Sequence, residues 1–431
     1  MVVTINPSQI VGKVQAPASK SSMQRACAAA LLSKGTTRII NPGSSNDDLA
    51  ALDVISKLGA QIVSRSNEEI TINSNGVAPV SPAINCGESG LGIRMFTPLA
   101  ALSDQPLTIN GTASLVKRPM HFFDEIFPKL SIGISSNRGH LPINIKGPLT
   151  PADVEIDGSL SSQFLTGLLM AFAAAGANNV SIKVRDLKSK PYIDLTLDVM
   201  NKFGIEVENH QYKSFSFKNT SGFKAGKYTV EGDWSGGAFL LVAGAIAGKI
   251  TIEGLSTSST QADKDVMKAL VDCGAEITSS ENVITVGPSA LSSFTFDATD
   301  CPDLFPPLVA LASYCNGTSY IKGVSRLAHK ESNRGLTLQE EFGKMGVKIE
   351  MDGDMMQVHG TSEVKGAVVH SHHDHRIAMA CAVAGLKSNG AITIHNADSI
   401  KKSFPDFYAV LQSLGAQIDI LESSFSDAFN D

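Results

Sequence analysis

A short junction recurs along the chain at intervals of about 72 residues. Each copy ends an amphipathic stretch, has glycine as its third residue and continues into alternating apolar residues. The copies are KLGAQI (57–62), KLSIGI (129–134), KFGIEV (202–207), DCGAEI (272–277), KMGVKI (344–349) and SLGAQI (413–418). The second copy has Ser131 in place of glycine. The junction predicts a helix closed by a left-handed residue and followed by a strand, and the spacing predicts six repeats.

Each repeat is predicted to contain two helices and about four strands. Its second helix is apolar on nearly all sides, as in QFLTGLLMAFAAA and RIAMACAVAGL, and should therefore be buried. A single repeat cannot bury such a helix, so we expect neighbouring repeats to pack together. The expected fold is α/β (α+β), with two pseudo-symmetric domains of three repeats each.

Composition excludes several classes of protein. Lys and Arg number 36 and Asp and Glu 42, so a net charge of -6 gives no overall attraction to nucleic acid. No apolar run reaches the roughly 18 residues of a membrane span. The N-terminus lacks the apolar core of a signal peptide, so we expect a cytoplasmic protein without membrane contact. There is no P-loop and no strand-linked GxGxxG fingerprint, so no nucleotide cofactor is expected.

No metal site is predicted either. The six cysteines form no CxxC pair and no Cys/His ligand spacing. His372, His373 and His375 cluster around Asp374, but no second group of ligands accompanies them. We therefore interpret this segment as part of an anion-binding loop that includes Arg376.

Basic residues concentrate in polar loops that occupy equivalent positions in the six repeats. Symmetry should gather these loops at one end of each domain, where helix N-termini offer free N–H groups and partial positive charge. Lysine and arginine in such loops favour phosphate and carboxylate ligands. The basic residues are Lys20, Arg25, Arg94, Lys117, Arg118, Lys330, Arg334, Arg376, Lys401 and Lys402.

Hydroxyl, amide and carboxylate side chains accompany these cations. The hydroxyls and the amide are Ser21, Ser161, Ser162, Gln163 and Ser189. They can cap helices or donate to a phosphate, and for 161–163 we favour ligand contact. Asp303 follows a proline at a predicted helix start, where it can stabilise the helix dipole, and Glu331 can pair with Lys330. Either carboxylate can also accept a proton from a substrate hydroxyl.

Ten segments carry a family resemblance and together span most of the chain. They are PASKSSMQRA (17–26), GESGLGIR (87–94), KRP (117–119), DGSLSSQFLTGLLM (157–170), DLKSKPYIDLTLDVM (186–200), VEGDWSG (230–236), PDLFPPLVAL (302–311), HKESNR (329–334), DHRIAM (374–379) and KKSFPD (401–406). In this order they closely resemble the 5-enolpyruvylshikimate-3-phosphate synthases, the 3-phosphoshikimate 1-carboxyvinyltransferase family.

The resemblance implies both a fold and a reaction. The fold would be two inverse α/β-barrel domains of three repeats, one spanning 18–232 and the other 1–17 and 233–431, with an anion-binding cleft between them. The enzyme would transfer the enolpyruvyl group of phosphoenolpyruvate to the 5-hydroxyl of shikimate 3-phosphate and release phosphate. This is a step of the shikimate pathway to chorismate and the aromatic amino acids. We expect a monomer that needs no cofactor and has these two small molecules as partners.

The resemblance also assigns roles to residues. Shikimate 3-phosphate would contact Lys20, Ser21, Arg25, Ser161, Ser162, Gln163, Ser189, Tyr192, Asp303 and Lys330. Phosphoenolpyruvate would contact Lys20, Gly90, Arg118, Gln163, Arg334, Arg376 and Lys402. The catalytic residues would be Asp303, Lys330, Glu331 and Lys20. Asp303 would accept the proton of the 5-hydroxyl, and Lys330 and Glu331 are candidates for proton transfer at C3 of phosphoenolpyruvate.

Two alternatives stand beside this hypothesis. A UDP-N-acetylglucosamine enolpyruvyl transferase would share the fold and the chemistry, but many members use a loop cysteine and SLVKRP (114–119) has none. A non-catalytic relative that binds small anions is the other alternative, although every expected lysine and arginine is present. The glycine loop departs from the usual Asn-Ala-Gly-Thr of the synthases, because residues 88–91 are Glu, Ser, Gly and Leu.

Overall fold

The computed structural model describes residues 1–218 and 221–422, and these ranges contain 24 strands and 12 α-helices. The strands as far as residue 229 are β1 (Val2–Asn6), β2 (Gly12–Gln15), β3 (Lys34–Ile40), β4 (Gln61–Arg65), β5 (Glu69–Asn75), β6 (Ala83–Asn85), β7 (Pro106–Asn110), β8 (Gly133–Asn137), β9 (His140–Lys146), β10 (Val154–Asp157), β11 (Val180–Arg185), β12 (Glu208–His210), β13 (Ser214–Phe217) and β14 (Lys227–Thr229). The others are β15 (Ile250–Glu253), β16 (Glu276–Ser279), β17 (Val283–Gly287), β18 (Thr295–Asp297), β19 (Thr318–Lys322), β20 (Lys348–Asp352), β21 (Met355–His359), β22 (Ala367–His370), β23 (Ile392–His395) and β24 (Gln417–Leu421).

The α-helices are α1 (Lys20–Leu32), α2 (Asn46–Lys57), α3 (Gly90–Ala100), α4 (His121–Ile126), α5 (Gln163–Ala174), α6 (Lys190–Lys202), α7 (Trp234–Ala247), α8 (Val266–Asp272), α9 (Phe305–Ser313), α10 (Arg334–Lys344), α11 (His375–Gly385) and α12 (Phe407–Ser413). Short 3₁₀ helices span Ala113–Lys117, Phe127–Leu130, Ala262–Asp265, Pro302–Leu304, Val324–Arg326 and Ala397–Lys402. Among the described residues, no helix is both long and apolar enough to cross a membrane.

The strands pair into six four-stranded sheets, counted over the described ranges, and every sheet has the same pattern. The orders are β14-β3-β5-β4, β6-β7-β9-β8, β10-β11-β13-β12, β2-β15-β17-β16, β18-β19-β21-β20 and β22-β23-β1-β24. In each order the first two strands are parallel and the two following pairings are antiparallel. The predicted mixed α/β architecture of repeated units is therefore confirmed.

The chain divides into two compact units. The first unit comprises Ala18–Asp233 with Thr260–Ala262, and the second comprises Met1–Pro17, Trp234–Ser259 and Asp263–Asp431. Three of the six sheets belong to each unit. Strands from distant parts of the sequence complete these sheets: β1 lies between β23 and β24, β2 pairs with β15, and β14 pairs with β3.

The repeated junctions have the predicted left-handed conformation. The junction glycines have φ angles from 80° to 111°, and they are Gly59, Gly204, Gly274, Gly346 and Gly415. Ser131 takes the same place in the second repeat with a φ of 62°, which is uncommon for a residue that has a Cβ. The reversal from helix to sheet is thus kept in all six repeats, at some conformational cost in the second.

The apolar helices form the core, as their composition predicts. Helix α11 is buried along its whole length, and α5 is buried from its second residue to its eleventh. In the first unit, buried residues of all three repeats form one hydrophobic cluster. In the second unit α7, α9 and α11 contact one another. All six cysteines are free thiols in the interior.

A buried carboxyl lies at the start of α2. Ser45 Oγ accepts a hydrogen bond from the Asp48 backbone N–H at 3.2 Å, and the Asp48 carboxyl accepts one from the Ser45 backbone N–H at 3.1 Å. This reciprocal capping satisfies the helix end. Burial raises the pKa of Asp48 to about 7, although the Ser45 hydrogen bonds oppose the rise. The neighbouring Asp47 raises this pKa further and Lys20 lowers it.

This carboxyl should make stability depend on pH. Because its pKa is higher in the folded chain than in the unfolded chain, the folded state retains the proton, and stability should fall as pH rises from about 4 to about 7. Asp48→Asn removes the ionisation but keeps an acceptor oxygen. The variant should gain roughly 2–4 kcal/mol relative to the wild type between pH 5 and pH 8, measured by urea unfolding. Asp53→Asn, at an exposed carboxylate of the same helix, is the control, and an equal gain there would contradict the assignment.

Candidate functional site

Many of the predicted site residues lie in the first turn of a helix. Lys20 begins α1, Gly90 begins α3, Gln163 begins α5 and Arg334 begins α10, while Arg376 is the second residue of α11. The positive end of a helix dipole disfavours a cation and favours an anion. A lysine or arginine at such a position therefore needs a nearby carboxylate or an anionic ligand.

In the second unit, one buried arginine contacts three carboxylates. The side chain of Arg334 is 1% exposed. Its guanidinium donates to Asp374 from Nε at 2.9 Å and from Nη2 at 3.1 Å. It also donates to Asp303 at 2.9 Å and to Glu331 at 2.7 Å. Since Asp374 caps α11 and accepts from the backbone N–H of Arg376 at 3.0 Å, this arginine joins the beginnings of α10 and α11.

Three further cations surround these carboxylates. Lys330 Nζ lies 3.3 Å and Arg376 Nη2 lies 3.5 Å from the Asp303 carboxylate. Lys402 Nζ lies 2.9 Å from Glu331. We call the whole group the charged cluster. It consists of Asp303, Lys330, Glu331, Arg334, Asp374, Arg376 and Lys402.

The charged cluster is poised to attract an anion. Its four cations outnumber its three carboxylates, and the excess positive charge is largely shielded from water. Lys330 and Asp303 are its most accessible members, with side chains 25% and 23% exposed. The side chains of Arg376 and Lys402 are each 6% exposed. Charges held in such an environment interact more strongly than charges in water.

Ionisation within the cluster follows from its charge pattern. Burial raises the pKa of Asp303, but attraction to Lys330, Arg376 and Arg334 outweighs burial and holds this pKa well below its usual value. Burial lowers the pKa of Lys330, although attraction to Asp303 opposes the change. Burial lowers the pKa of Arg334, but attraction to Asp374, Glu331 and Asp303 outweighs burial and raises this pKa above its usual value. The cluster thus holds an ionised carboxylate beside a lysine that loses its proton more readily than usual.

In the first unit, Gly90 allows an arginine to approach the backbone closely. A Cβ atom placed on Gly90 would lie 2.5 Å from Nη1 of Arg118 and 3.6 Å from Nη1 of Arg94. Arg94 donates to Gln163 Oε1 at 2.8 Å and lies over the ring of Phe164, 5.0 Å from its centroid. The starts of α3 and α5 and the loop that carries Arg118 therefore meet around a pair of buried guanidinium groups.

Arg25 is held differently from Arg334. It is 1% exposed, and it donates to Thr196 Oγ1 at 2.9 Å and to the backbone carbonyls of Ser21 at 3.0 Å and Tyr192 at 3.3 Å. Burial lowers the pKa of Arg25 to about 10, with Tyr192 and Tyr228 opposing the change, so the group is still cationic at neutral pH. Its partners are neutral groups, which leaves its charge available to a ligand.

The other predicted residues of the first unit also lie at helix beginnings. Ser162 occupies the N-cap position of α5 without a capping hydrogen bond from its side chain, and Ser161 Oγ accepts from the Gln163 backbone N–H at 3.1 Å. Ser189 precedes α6 in a left-handed conformation, with a φ of 54°. Lys20 Nζ pairs with Asp47 at 2.8 Å. These contacts bring the first-unit residues together in small groups, and the cleft expected from the family resemblance stays a prediction.

Sequence reasoning missed two buried carboxylates. Asp374 was predicted only as a neighbour of histidines, yet it makes two hydrogen bonds to Arg334. Asp47, the partner of Lys20, was not singled out. Their signals were an aspartate directly before the apolar helix of DHRIAM and an Asp-Asp pair in the first turn of α2. An aspartate at a helix start is common, so neither signal identified the cation it would meet.

One group of side chains has metal-ligand character. Ligand atoms of Glu340, Glu341 and His372 lie within 4.8 Å of one another. Glu341, however, accepts hydrogen bonds from Lys344 Nζ at 2.9 and 2.8 Å and lies 2.7 Å from His372 Nε2. Its charge is therefore already balanced by an ammonium group. The expectation that the protein needs no metal stays a prediction.

Comparisons with known proteins identify the same family along almost the whole chain. The family model described as EPSP synthase (3-phosphoshikimate 1-carboxyvinyltransferase) matches residues 5–411. A 3-phosphoshikimate 1-carboxyvinyltransferase of Clostridium kluyveri is 38% identical, with 97% of this chain and 98% of the relative covered. One from Clostridioides difficile is 36% identical, with 96% and 98% covered. The solved EPSP synthase of Acinetobacter baumannii has a TM-score of 0.82 at 25% identity, with 98% of this chain and 100% of that chain covered.

The contacts of Arg334 predict a large effect on stability. Asp374→Asn keeps the shape of the side chain but removes the charge that makes two hydrogen bonds to the buried guanidinium. The midpoint of urea unfolding should fall by an amount equivalent to about 3–5 kcal/mol, because a buried cation loses its closest compensation. Glu350→Gln removes an exposed carboxylate of the same unit and should change the midpoint little. Equal midpoints for the two variants would contradict the central place given to Asp374.

Proposed function

Because the chain belongs to the EPSP synthase family and is a transferase of the shikimate pathway, we propose that its buried cations hold the two anionic substrates of enolpyruvyl transfer. These substrates are phosphoenolpyruvate and shikimate 3-phosphate. The observation that carries the proposal is the charged cluster, in which Lys330, Arg334 and Arg376 surround the ionised carboxylate of Asp303 and Lys402 pairs with Glu331. Such an arrangement neutralises phosphate and carboxylate groups and presents a base to them.

Phosphoenolpyruvate is assigned to five cationic side chains and to two residues that begin helices, Gly90 and Gln163. The contacts would be Lys20, Gly90, Arg118, Gln163, Arg334, Arg376 and Lys402. Burial of Arg118, Arg376 and Lys402 supports the assignment, because shielding from water strengthens their attraction to a bound anion. The close approach of Arg118 to Gly90 supports it further, since a guanidinium and backbone N–H groups can then serve the same anion.

Shikimate 3-phosphate is assigned mainly to hydroxyl-rich helix starts. The contacts would be Lys20, Ser21, Arg25, Ser161, Ser162, Gln163, Ser189, Tyr192, Asp303 and Lys330. Arg25 is the strongest candidate for an anionic group of this substrate, because its charge is buried among neutral partners. The serines beside α5 and α6 can donate hydrogen bonds to phosphate oxygens or substrate hydroxyls.

Asp303 is proposed to accept the proton of the 5-hydroxyl. The substrate oxygen then forms a bond to C2 of phosphoenolpyruvate while C3 gains a proton and becomes a methyl group. Loss of phosphate from C2 and of a proton from C3 gives the enolpyruvyl ether. Asp303 is held as the ionised carboxylate, which is the form that can accept a proton, and its contact with Lys330 at 3.3 Å places it beside a second group that can exchange protons.

Lys330 and Glu331 are proposed for proton transfer at C3, with Lys20 as a further catalytic cation. The lowered pKa of Lys330 favours release of its proton, and its position 3.3 Å from Asp303 would allow the two groups to exchange one. Glu331 is bound to Arg334 and Lys402, so its charge responds to any ligand that engages those cations. A cytoplasmic location and a monomeric state stay predictions from the sequence.

Phosphate release tests the proposal directly. The full chain, incubated with shikimate 3-phosphate and phosphoenolpyruvate, should release inorganic phosphate, and UDP-N-acetylglucosamine should not replace shikimate 3-phosphate. Lys402→Met should lower kcat/KM by about a hundredfold or more, because a buried ammonium group is lost from the anion site. Lys401→Met, at the exposed neighbour in the same 3₁₀ helix, should stay within about threefold of the wild type. A chain that releases no phosphate, or that prefers the nucleotide sugar, would refute the proposed function.

A change at Gly90 tests the phosphoenolpyruvate contacts. Gly90→Ala puts a methyl group 2.5 Å from Nη1 of Arg118, which is too close for a non-bonded contact, so the guanidinium must move. The KM for phosphoenolpyruvate should rise about tenfold or more, whereas the KM for shikimate 3-phosphate should change much less. Gly226→Ala is the matched control, because a Cβ there meets no atom within 4 Å. If both KM values rise together in Gly90→Ala, the assignment to phosphoenolpyruvate is wrong.

A further inference from the structure

Three helices of the first unit meet at two buried hydroxyl groups. Thr166 on α5 and Thr196 on α6 are both 0% exposed, and their Oγ1 atoms lie 2.8 Å apart. Arg25 of α1 donates to Thr196 Oγ1 from Nε at 2.9 Å, and Thr196 Oγ1 donates to the backbone carbonyl of Tyr192 at 2.9 Å. These two threonines are not among the residues assigned to either substrate.

The direction of each hydrogen bond follows from counting protons. A hydroxyl group donates one hydrogen bond and accepts two. The single proton of Thr196 is used by the Tyr192 carbonyl, so Thr196 must accept from both Arg25 and Thr166. All three hydrogen-bonding positions of Thr196 are therefore occupied. Rotation of this side chain would break at least one bond in a place that water does not reach.

Thr196 thereby fixes the orientation of Arg25. Within the described residues, the guanidinium bonds to Thr196 and to the carbonyls of Ser21 and Tyr192, and no carboxylate pairs with it. These three bonds leave one N–H group on each terminal nitrogen for a ligand. A guanidinium N–H forms a charge-assisted hydrogen bond with a carboxylate or phosphate oxygen. Because the guanidinium is planar and rigid, the direction in which these N–H groups point depends on the Nε bond to Thr196.

The same hydroxyl fixes the first turn of α6. The Tyr192 carbonyl accepts from Thr196 and from Arg25, and the Tyr192 backbone N–H donates to the Ser189 carbonyl at 3.1 Å. Thr166, one turn into α5, bonds back through its N–H to the carbonyl of Ser162 at 3.1 Å. The first turns of α5 and α6, whose residues are proposed to contact shikimate 3-phosphate, are thus connected through the hydrogen bond between Thr166 and Thr196.

We infer that Thr196 is a positioning residue for shikimate 3-phosphate, holding Arg25 and the first turn of α6 in the geometry that binds this substrate. The inference rests on the proposed function, which supplies the assignment of these groups to shikimate 3-phosphate. Threonine is needed there for its hydroxyl, because valine would fill the same space and leave the Nε–H of a buried arginine without an acceptor.

Kinetics and binding of Thr196 variants of the full chain test the inference. Thr196→Val should raise the KM and the Kd for shikimate 3-phosphate about tenfold or more, while the KM for phosphoenolpyruvate stays within about threefold. Thr196→Ser keeps the hydroxyl and should restore most of the affinity. Thr196→Ala removes the same hydroxyl with a smaller side chain and provides the same test if the valine variant does not fold. Thr166→Val should have a smaller effect, because Thr196 then loses one hydrogen-bond donor but still accepts from Arg25 and still donates to the Tyr192 carbonyl.

Thr97→Val is the matched control. Thr97 is a buried threonine of α3 in the same unit, and its hydroxyl donates only to the Ile93 carbonyl of its own helix. The control should leave both KM values near those of the wild type. If Thr196→Val behaves like Thr97→Val, or if it raises the KM of both substrates equally, the inference is overturned and the proposed function is unaffected. A wild-type chain that does not bind shikimate 3-phosphate overturns the proposed function and the inference with it.

Discussion

Each repeat contains an apolar helix that it cannot cover by itself, and the rest of the structure follows from this constraint. Helices such as α5, α7 and α11 lose contact with water on almost every side, which requires three repeats to share a core. Every sheet keeps one parallel and two antiparallel pairings, so all repeats present equivalent faces. Where the local sequence lacks a strand, β1, β2 or β14 supplies it from elsewhere in the chain.

Packing of equivalent helices also explains where the charges lie. The polar loops precede the buried helices, so some of their cations, such as Lys20, Arg334 and Arg376, lie in the first turn of a helix. The helix dipole disfavours cations there, and carboxylates offset this cost, as Asp47 does for Lys20 in the first unit. In the second unit Arg334 contacts three carboxylates, and the further cations of the charged cluster leave it with one more cation than carboxylates. Arg25 lies farther along α1, as its sixth residue, and contacts a hydroxyl and two carbonyls instead.

These two environments give buried arginines different uses. The charge of Arg334 is compensated by carboxylates without any ligand, and these carboxylates raise its pKa. Its hydrogen bonds hold Asp303 and Glu331 in place. Arg25 keeps an uncompensated charge and a lowered pKa, so an anionic ligand has more to gain from it. The charge pattern also keeps Asp303 ionised next to Lys330. Binding and proton transfer thus depend on how each charge is compensated, as well as on which residues are present.

Sequence alone determined the features that depend on neighbouring residues. The glycines at 59, 204, 274, 346 and 415 predicted the helix ends, and the loops around Lys330 and Arg376 predicted an anion site. Ser131 shows the limit of this reasoning, because its left-handed turn is imposed by the surrounding repeat and not by its own preference. Only the tertiary structure decided that Arg334 meets Asp374 and that Thr196 meets Arg25. Those partners lie 40 and 171 residues apart, and packing of whole helices, which no local pattern records, brings them within hydrogen-bonding distance.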